Sequence, residues 1–269
     1  MDNETKKIVK VGITGAGGRV GKIITDGLAE KYQLTLFIRE KQPDTALDLK
    51  IVKVNLSKAE EIKGKFAGLD AVIHLAANPG TRTPWETVLA DNIVATYNVL
   101  EEARQSGVKR VVFASTNHVQ NAAAMGATEF SVSPAFTQRG IPLKLTDPPA
   151  PDSYYGVSKL FGEDLGRYYS RFFGLEFISV RIGWAAPKIP PPVLKRTKEE
   201  EMHVRGLYLS PGDCVELFIR TLEVKTNFLI VYGLSNTRYP IFDMTETKKL
   251  LGYYPKDNEE EYFKDSKPA

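Results

Sequence analysis

The stretch TGAGGRVG, residues 14–21, decides the fold of this 269-residue chain. It follows a short apolar run, KIVKVGI (7–13), and opens a segment with helical periodicity, so it predicts a strand, a tight turn and a helix. Gly15, Gly18 and Gly21 are spaced so that the backbone can turn sharply and approach a pyrophosphate, beside the free N–H donors of a helix start. We therefore predict a dinucleotide site; the alternative is a glycine-rich turn without a ligand.

Apolar runs and helical periods continue to alternate along the chain. The apolar runs are short and rich in β-branched residues, which predicts buried strands. We expect strands at 34–39, 49–56, 69–77, 108–115 and 175–183, and helices at 59–68, about 84–105 and 152–173. Asp152 and Ser153 are candidate N-caps of the last helix, and Gly174 is its candidate end.

This alternation predicts an α/β fold, a Rossmann doubly wound parallel sheet, because fully apolar strands need helices on both faces. We assign residues 1–183 to a dinucleotide-binding Rossmann domain. Residues 186–206 are proline-rich and then charged, which we interpret as a mobile flap. A helix at 211–222 and a strand at 227–233 complete a small C-terminal substrate lobe, 184–269, which is interleaved with the first domain as one compact unit.

Composition excludes several classes of protein. The 36 basic and 33 acidic residues nearly balance, and the basic ones are scattered, so no nucleic-acid partner is expected. We find no apolar run long enough for a membrane span and no signal peptide in MDNETKKIVK (1–10). The one cysteine, Cys214, and the lack of His, Cys and Asp at metal spacing predict a cytoplasmic protein without a metal.

The end of the second strand, LFIRE (36–40), bears on the choice of cofactor. An acidic residue here accepts a hydrogen bond from the ribose 2′-OH of NAD, whereas an arginine accommodates the 2′-phosphate of NADP. Ile38 stands where the acid is expected and Arg39 follows it, which favours NADP, although Glu40 could still reach the ribose. The alternative is that Arg39 is a solvated surface cation.

The stretch SYYGVSK (153–159) places two tyrosines ahead of a lysine on a predicted helix. Residues four apart share a helix face, so Tyr155 is the partner of Lys159, and Tyr154 packs or lines the pocket. A phenol ordinarily has a pKa near 10, and a nearby ammonium favours the phenolate. Tyr155 could then take a proton from an alcohol while hydride leaves to the cofactor. Chance pairs of this kind occur on many helices, but this pair follows the fifth strand of a dinucleotide-binding pattern.

A hydroxyl that holds the substrate oxygen is expected where VVFASTNHV (111–119) reaches the carboxyl edge of the sheet. Ser115 or Thr116 could supply it. The segment 121–150 that follows is long for a connection within a domain, and long ordered loops often act as lids.

Taken together, these motifs resemble the extended short-chain dehydrogenase/reductase family, also called the NAD-dependent epimerase/dehydratase family, over nearly the whole chain. The resemblance rests on TGAGGRVG, HLAA (74–77), DNIVATYNVL (91–100), VKRVVFAS (108–115) and YYGVSK (154–159). PWE (84–86) and NHV (117–119) are similar to uronate dehydrogenase-like enzymes that act on free sugars. The resemblance implies an NAD(P)-dependent enzyme that oxidises a sugar at an alcohol carbon to a lactone, and it favours NAD.

The resemblance also implies roles for individual residues. Tyr155 becomes the general base, Lys159 lowers its pKa and holds the nicotinamide ribose, Thr116 is the catalytic hydroxyl and Asn92 shapes the site. Asn55 stands where the family usually has an aspartate beside adenine. Cofactor contacts are expected at Gly15, Gly17, Gly18, Arg19, Val20, Gly21, Arg39, Asn55, Leu56, Leu75, Ala76, Ala77, Asn92, Ala114, Ser115, Tyr155, Lys159 and Ile182.

Substrate contacts are expected at Asn78, Arg82, Thr116, Asn117, His118, Tyr155, Trp184, His203 and Arg205. Trp184 replaces a family serine, and the arginine that binds a uronate carboxylate has no direct counterpart: His203 aligns best and Arg205 is displaced. Arg82 could face an anionic substrate or could be a solvated loop residue. We expect His74 either to pack or to contact the cofactor, and His203 to lie at the surface.

Three functions remain open from the sequence. The first is a dehydrogenase of a uronate, an aldose or a sugar phosphate. The second is a nucleotide-sugar epimerase or dehydratase, which shares the fold and the tyrosine but needs a larger segment after the sixth strand. The third is a non-enzymatic dinucleotide-binding redox sensor, which has no need of Tyr155 and Lys159. Because proteins of this fold assemble through long helices, we also expect a homo-oligomer, a dimer or larger.

Overall fold

The protein is built around a parallel β-sheet. The structure is a computed structural model that describes residues 8–128, 131–186 and 197–263. The strands are β1 (Lys10–Thr14), β2 (Gln33–Ile38), β3 (Lys50–Lys53), β4 (Ala71–His74), β5 (Arg110–Thr116), β6 (Glu176–Ile182), β7 (Trp184–Ala185), β8 (Tyr208–Leu209) and β9 (Phe228–Gly233). The main sheet has the parallel order β3-β2-β1-β4-β5-β6-β9, so the predicted doubly wound fold is confirmed.

Helices cover both faces of this sheet. They are α1 (Arg19–Ala29), α2 (Ala59–Ile62), α3 (Trp85–Val88), α4 (Ala95–Gln105), α5 (Pro134–Arg139), α6 (Tyr154–Phe173), α7 (Lys198–Gly206), α8 (Pro211–Glu223), α9 (Thr245–Leu251) and α10 (Glu259–Tyr262). Helices α1 and α8 pack on one face and α4 and α6 on the other, each over its own apolar core. The buried Cys214 lies in the first of these cores.

The long helix predicted at about 84–105 is continuous but not regular. A π-helical turn, Leu89–Val94, separates α3 from α4. Turns of this kind accommodate one extra residue and occur frequently at functional sites. Helix α2 is shorter than the predicted 59–68, because Gly64 and Gly68 adopt positive φ angles of 73° and 79° that end the helical course.

The C-terminal part differs from the sequence prediction in two ways. The strand assigned to the small lobe is β9, which pairs with β6 and is the outermost strand of the main sheet. The predicted flap is a helix over residues 198–206, since Thr197 and Glu200 form a capping box at its start. The remainder of that predicted flap, 187–196, lies outside the described residues. Strand β7 follows β6, strand β8 follows this helix, and the two short strands pair in parallel.

A buried polar network fixes the start of the long segment 121–150. Arg181 on β6 makes a two-point ion pair with Glu163 on α6, with distances of 2.7 and 2.9 Å. Its third contact is Gln120 Oε1 at 2.7 Å, which also accepts from the Tyr232 hydroxyl on β9. The Gln120 amide donates to the backbone carbonyls of Lys144 and Asp147. Gln120 therefore ties this segment to the sheet.

Candidate active site

A cavity of about 350 Å³ lies at the carboxyl ends of β1 to β4, where ligands bind in doubly wound sheets. Its floor is the turn after β1, in which Gly15 has a φ of 71° and a Cβ would lie 2.7 Å from the backbone of Ala76. Helix α1 starts after Gly18 with no side-chain cap and no acidic residue in its first turn. Its free N–H groups therefore face an open site suited to a phosphate.

Most of the residues predicted to hold the cofactor line this cavity. They are Gly15, Gly17, Gly18, Arg39, Asn55, Leu56, Leu75, Ala76 and Ala77. The predicted contacts Arg19, Val20 and Gly21 form the first turn of α1 beside it. Sequence reasoning missed Lys41, Ser57 and Asp91, which also line it. The glycine-rich floor and the uncapped helix fit a dinucleotide.

Arg39 lies at the rim of this cavity and is not a free cation. Its Nη1 lies 2.8 Å from Asp91 Oδ1, and the arginine side chain is 56% exposed. Asp91 belongs to the π-helical turn, 52 residues away in the sequence, so the pairing could not be predicted from the LFIRE stretch. The ion pair holds a guanidinium near the position predicted for the adenosine ribose.

Tyr155 lies in the first turn of α6, whose start is fixed by a cap. The Ser153 hydroxyl accepts a hydrogen bond from the Gly156 N–H at 3.1 Å, which confirms Ser153 as the N-cap. A Cβ on Gly156 would lie 2.5 Å from the carbonyl oxygen of His118. Glycine at 156 therefore allows the tyrosine helix to pack directly against the turn that follows β5.

Thr116, and not Ser115, supplies a hydroxyl to this site. The Thr116 hydroxyl lies close enough to Tyr155 to act on the pKa of its phenol, and it accepts a hydrogen bond from the His118 N–H at 3.3 Å. Ser115 points to the opposite side of β5, since neighbouring strand residues alternate, and donates to Glu163 at 2.6 Å. The Ser115 hydroxyl is therefore committed to the buried network, which resolves the choice left open by the sequence.

Lys159 lies one helical turn after Tyr155, as the spacing predicts, and is buried. Its Nζ is 4.6 Å from the centre of the Phe113 ring and 5.8 Å from that of the Tyr155 ring. Burial lowers the pKa of Lys159 to about 7 and raises that of Tyr155 to about 12. The expected lowering of the Tyr155 pKa by Lys159 is therefore not seen, because desolvation is the largest influence on the phenol.

His118 pairs with Asp152 beside the tyrosine. The imidazole Nδ1 lies 2.7 Å from Asp152 Oδ2, and its ring centre is 5.8 Å from that of Tyr155. Asp152 was considered only as a helix cap in the sequence, and no local pattern signals a contact across 34 residues. The predicted substrate residue His118 is therefore held by a buried carboxylate.

Asn92, in the π-helical turn, is 1% exposed and fully hydrogen-bonded within the protein. Its Oδ1 accepts from the Asn78 N–H at 2.8 Å, and its Nδ2 donates to the Asn78 carbonyl and to the Ser158 hydroxyl. These contacts join the loop after β4 to the tyrosine helix. Asn92 thus organises the site rather than offering a free amide to a ligand.

Two of the predicted substrate residues in the C-terminal part are buried. His203, expected at the surface, is 4% exposed on α7. Arg205 is ion-paired with Glu201 at 2.7 Å and with Glu259 at 3.2 Å. The expected surface position of His203 is therefore wrong, because its helix buries it, and the substrate contacts of His203 and Arg205 stay predictions. Trp184 packs between two apolar clusters of the lobe.

The other predicted polar residues differ in exposure. Asn78 shares hydrogen bonds with Thr83 and Asn92, Arg82 is in an exposed turn, and Asn117 is 4% exposed. His74 is completely buried between Thr14 and Thr96, so it has the packing role, and burial lowers its pKa to about 3. Ala114 and Ile182 are buried near the ends of β5 and β6.

Comparison with known proteins identifies the family. The model of the family described as "NAD dependent epimerase/dehydratase family" matches residues 11–185, which include the glycine-rich turn and the Tyr155 helix. The chain belongs to the NAD dependent epimerase/dehydratase family. The sequence resemblance to this family is therefore confirmed.

Relatives within this epimerase/dehydratase family include sugar dehydrogenases. An L-arabinose 1-dehydrogenase (NAD(P)(+)) of Haloferax volcanii is 38% identical over 257 residues, covering 93% of this chain and 98% of the relative. An NAD-dependent glucose-6-phosphate dehydrogenase of the same organism is 33% identical, covering 95% of this chain and 96% of the relative. A solved uronate dehydrogenase variant from Agrobacterium tumefaciens, complexed with NAD, is 28% identical with a TM-score of 0.79, covering 97% of this chain and 91% of that one.

Two features are absent from the residues that the structure describes. Among the described residues, no helix is long and apolar enough to cross a membrane. Within the same ranges, no group of three or more His, Cys, Asp or Glu side chains could hold a metal ion.

Proposed function

We propose that this member of the epimerase/dehydratase family is an NAD(P)-dependent dehydrogenase that oxidises a sugar at an alcohol carbon, the anomeric carbon of a free aldose, to a lactone. The observation that carries the proposal is the position of Lys159, which is buried one helical turn after Tyr155 with its Nζ 5.8 Å from the centre of the Tyr155 ring. This pair lies at the same edge of the sheet as the dinucleotide cavity. Its homologues are NAD(P)-dependent sugar dehydrogenases.

Thr116, Tyr155 and Lys159 have separate roles in the proposed oxidation. When bound, the oxidised dinucleotide accepts the hydride from the alcohol carbon and adds a positive charge to the site. Thr116 holds the substrate oxygen, and Tyr155 takes the hydroxyl proton as general base, so the carbon–oxygen bond becomes a carbonyl. Because burial and the charge of Asp152 raise the pKa of Tyr155 to about 12, the phenol depends on added positive charge for proton transfer at neutral pH. Lys159 holds the ribose and contributes part of that charge.

We favour a neutral aldose over a uronate. Arg205, which is displaced from the position of the family's carboxylate-binding arginine, is already paired with Glu201 and Glu259. A buried arginine with two carboxylate partners has no charge left to neutralise a third. The L-arabinose 1-dehydrogenase relative acts on an uncharged sugar, which supports the same choice.

The test is a panel of neutral aldoses, uronates and sugar phosphates with NAD⁺ or NADP⁺, followed by absorbance of the reduced cofactor. We expect turnover with a pentose or hexose and at least tenfold lower kcat/KM with the matching uronate. If no sugar of the panel is turned over, and a cofactor copurifies with the protein and does not exchange, the epimerase or dehydratase alternative is favoured.

We also propose that two copies of the chain associate through α4 and α6. These helices carry exposed aromatic side chains, namely Tyr97, Tyr154, Tyr168, Phe172 and Phe173. Clustered exposed apolar residues of this size mark an interaction surface.

A cytoplasmic location is proposed because Cys214 is a free and buried thiol.

A further inference from the structure

The carboxylate of Asp152 is the centre of a small hydrogen-bond network next to the reactive tyrosine. Its side chain is 2% exposed. Oδ2 accepts from His118 Nδ1 at 2.7 Å and from the Asn121 amide at 2.8 Å, and Oδ1 accepts from the Ser153 hydroxyl at 2.8 Å. Three donors therefore converge on one buried acid.

These contacts keep the acid ionised. Burial raises the pKa of Asp152, but the hydrogen bonds that it accepts from His118, Asn121 and Ser153 bring that pKa below its usual value. An ionised carboxylate can only accept hydrogen bonds. The proton of the 2.7 Å contact therefore belongs to Nδ1 of His118.

The proton on Nδ1 determines whether Nε2 of the imidazole donates or accepts a hydrogen bond. In the neutral ring, a proton on Nδ1 leaves a lone pair on Nε2. No described residue donates to or accepts from Nε2, and the His118 side chain is 20% exposed. The ring stands edge-to-face with Tyr155, at an interplanar angle of 65°.

We propose that Asp152 is a positioning residue that presents the Nε2 lone pair of His118 to a sugar hydroxyl beside Tyr155. The proposal rests on the proposed sugar dehydrogenase function for the identity of the ligand, and it deepens it by assigning an acceptor next to the general base. A sugar ring carries a hydroxyl on each carbon that neighbours the reacting one. An acceptor beside the tyrosine would fix which of these carbons meets the general base.

The same carboxylate also sets the distance between His118 and Tyr155. Ser153 donates to Asp152 and accepts from the Gly156 N–H in the first turn of α6. The Asp152 N–H donates to the His118 carbonyl at 3.3 Å. The histidine and the tyrosine are thus positioned by one network, which makes a purely capping role for Asp152 the competing explanation.

The first test is the ¹⁵N NMR spectrum of histidine-labelled, cofactor-free full-length protein at neutral pH. The chain has three histidines, and a His118→Gln variant assigns the His118 signals. We expect His118 as the tautomer with protonated Nδ1 and unprotonated Nε2. In Asp152→Asn, which can donate to Nδ1, the spectrum should change to protonated Nε2. A wild-type His118 that carries its proton on Nε2 overturns the proposal, even if the variant does not fold and even if the protein oxidises no sugar.

The second test is kinetic and separates positioning from capping. Asp152→Asn should raise the KM for the best sugar about tenfold, about 1.4 kcal/mol, and leave the affinity for cofactor unchanged. Asp147 accepts a hydrogen bond from the Lys144 N–H at 2.9 Å and so also has a capping role. Asp147→Asn is therefore the matched control, and we expect its KM to be unchanged. An Asp152→Asn variant with wild-type KM and a wild-type His118 spectrum contradicts the proposal.

Discussion

Asn92 donates a hydrogen bond of 2.9 Å to the hydroxyl of Ser158, across 66 residues of sequence. Ser158 in turn donates to the carbonyl oxygen of Tyr155 at 2.7 Å. The π-helical turn is therefore connected, through two hydrogen bonds, to the backbone of Tyr155. Asn92 thereby helps to hold the first turn of α6.

Replacing Asn92 with leucine should lower both stability and turnover. The Asn78 N–H and the Ser158 hydroxyl would lose buried partners, which costs about 2–3 kcal/mol in the free energy of unfolding. A slight displacement of Tyr155 should reduce kcat by at least tenfold. Urea unfolding and steady-state kinetics measure the two effects. Asn227→Ala changes an exposed asparagine and should leave both unaltered; an Asn92→Leu variant with wild-type kcat contradicts the positioning role.

Tyr155→Phe should remove most of the activity, because it deletes the hydroxyl that is proposed to accept the substrate proton. We expect kcat to fall about 10²–10⁴-fold, as for loss of a general base. Cofactor affinity, measured by fluorescence titration, should stay within twofold. The neighbouring Tyr154 is 55% exposed against Trp85, so Tyr154→Phe is the matched control and should be fully active.

Lys159 should make the stability of the cofactor-free protein depend on pH. Burial lowers its pKa from 10.5 to about 7, so the unfolded chain binds one more proton than the folded chain between these values. The free energy of unfolding should therefore rise as pH increases from about 7 to 9. Lys159→Met should abolish this rise, while Lys31→Met, at an exposed lysine, should retain it. The free energies of unfolding of both proteins are measured in urea at each pH. If they depend on pH in the same way for wild type and for Lys159→Met, the burial of Lys159 carries no cost in free energy.

Arg39→Ala should change the preference between the two dinucleotides. The guanidinium is available at the cavity rim once its exposed pair with Asp91 opens, a pair worth about 1 kcal/mol or less. We expect the Kd for NADP⁺ to rise about tenfold and that for NAD⁺ to stay unchanged. Calorimetric titration measures both constants. Arg167→Ala, at an exposed arginine on α6, is the control; an unaltered ratio of the two constants would make Arg39 a surface residue only.

The exposed aromatic face of α4 and α6 should govern the oligomeric state. Phe172 is 63% exposed, and a charge at this position would be buried in the proposed interface. Phe172→Glu should convert a dimer into a monomer in analytical ultracentrifugation at micromolar concentration. Tyr254→Glu changes an aromatic residue that is 64% exposed outside these helices and should not alter the sedimentation. A wild-type protein that sediments as a monomer would rule out the interface.

The sequence predicted those features that depend on local periodicity. The strands from β1 to β6 and the helix of Tyr155 follow from apolar runs, from the cap at Ser153 and from the four-residue spacing to Lys159. The same reasoning did not extend to β9, although its apolar run follows a helix as in the earlier βα units. The strand was assigned to a lobe because the proline-rich stretch before it interrupted the alternation.

What could not be predicted depends on contacts between distant residues. His203 lies in a strongly charged stretch, yet the helix it belongs to buries it, and the Thr197 and Glu200 capping box was the missed local signal. The pairs His118–Asp152 and Arg39–Asp91 join residues 34 and 52 positions apart. Such pairings follow from the assembled fold, so no motif or spacing in the chain could reveal them.

The π-helical turn Leu89–Val94 has a consequence for how this chain tolerates change. An α-helix rotates by about 100° for each residue. Removal of a single residue from this turn would restore a regular helix and rotate all of α3 by that angle relative to α4. Trp85 would then leave Tyr154, and Asn92 would no longer face Ser158. The length of this segment is therefore under a stricter constraint than its composition, and a one-residue deletion here should be more damaging than any substitution of its exposed side chains.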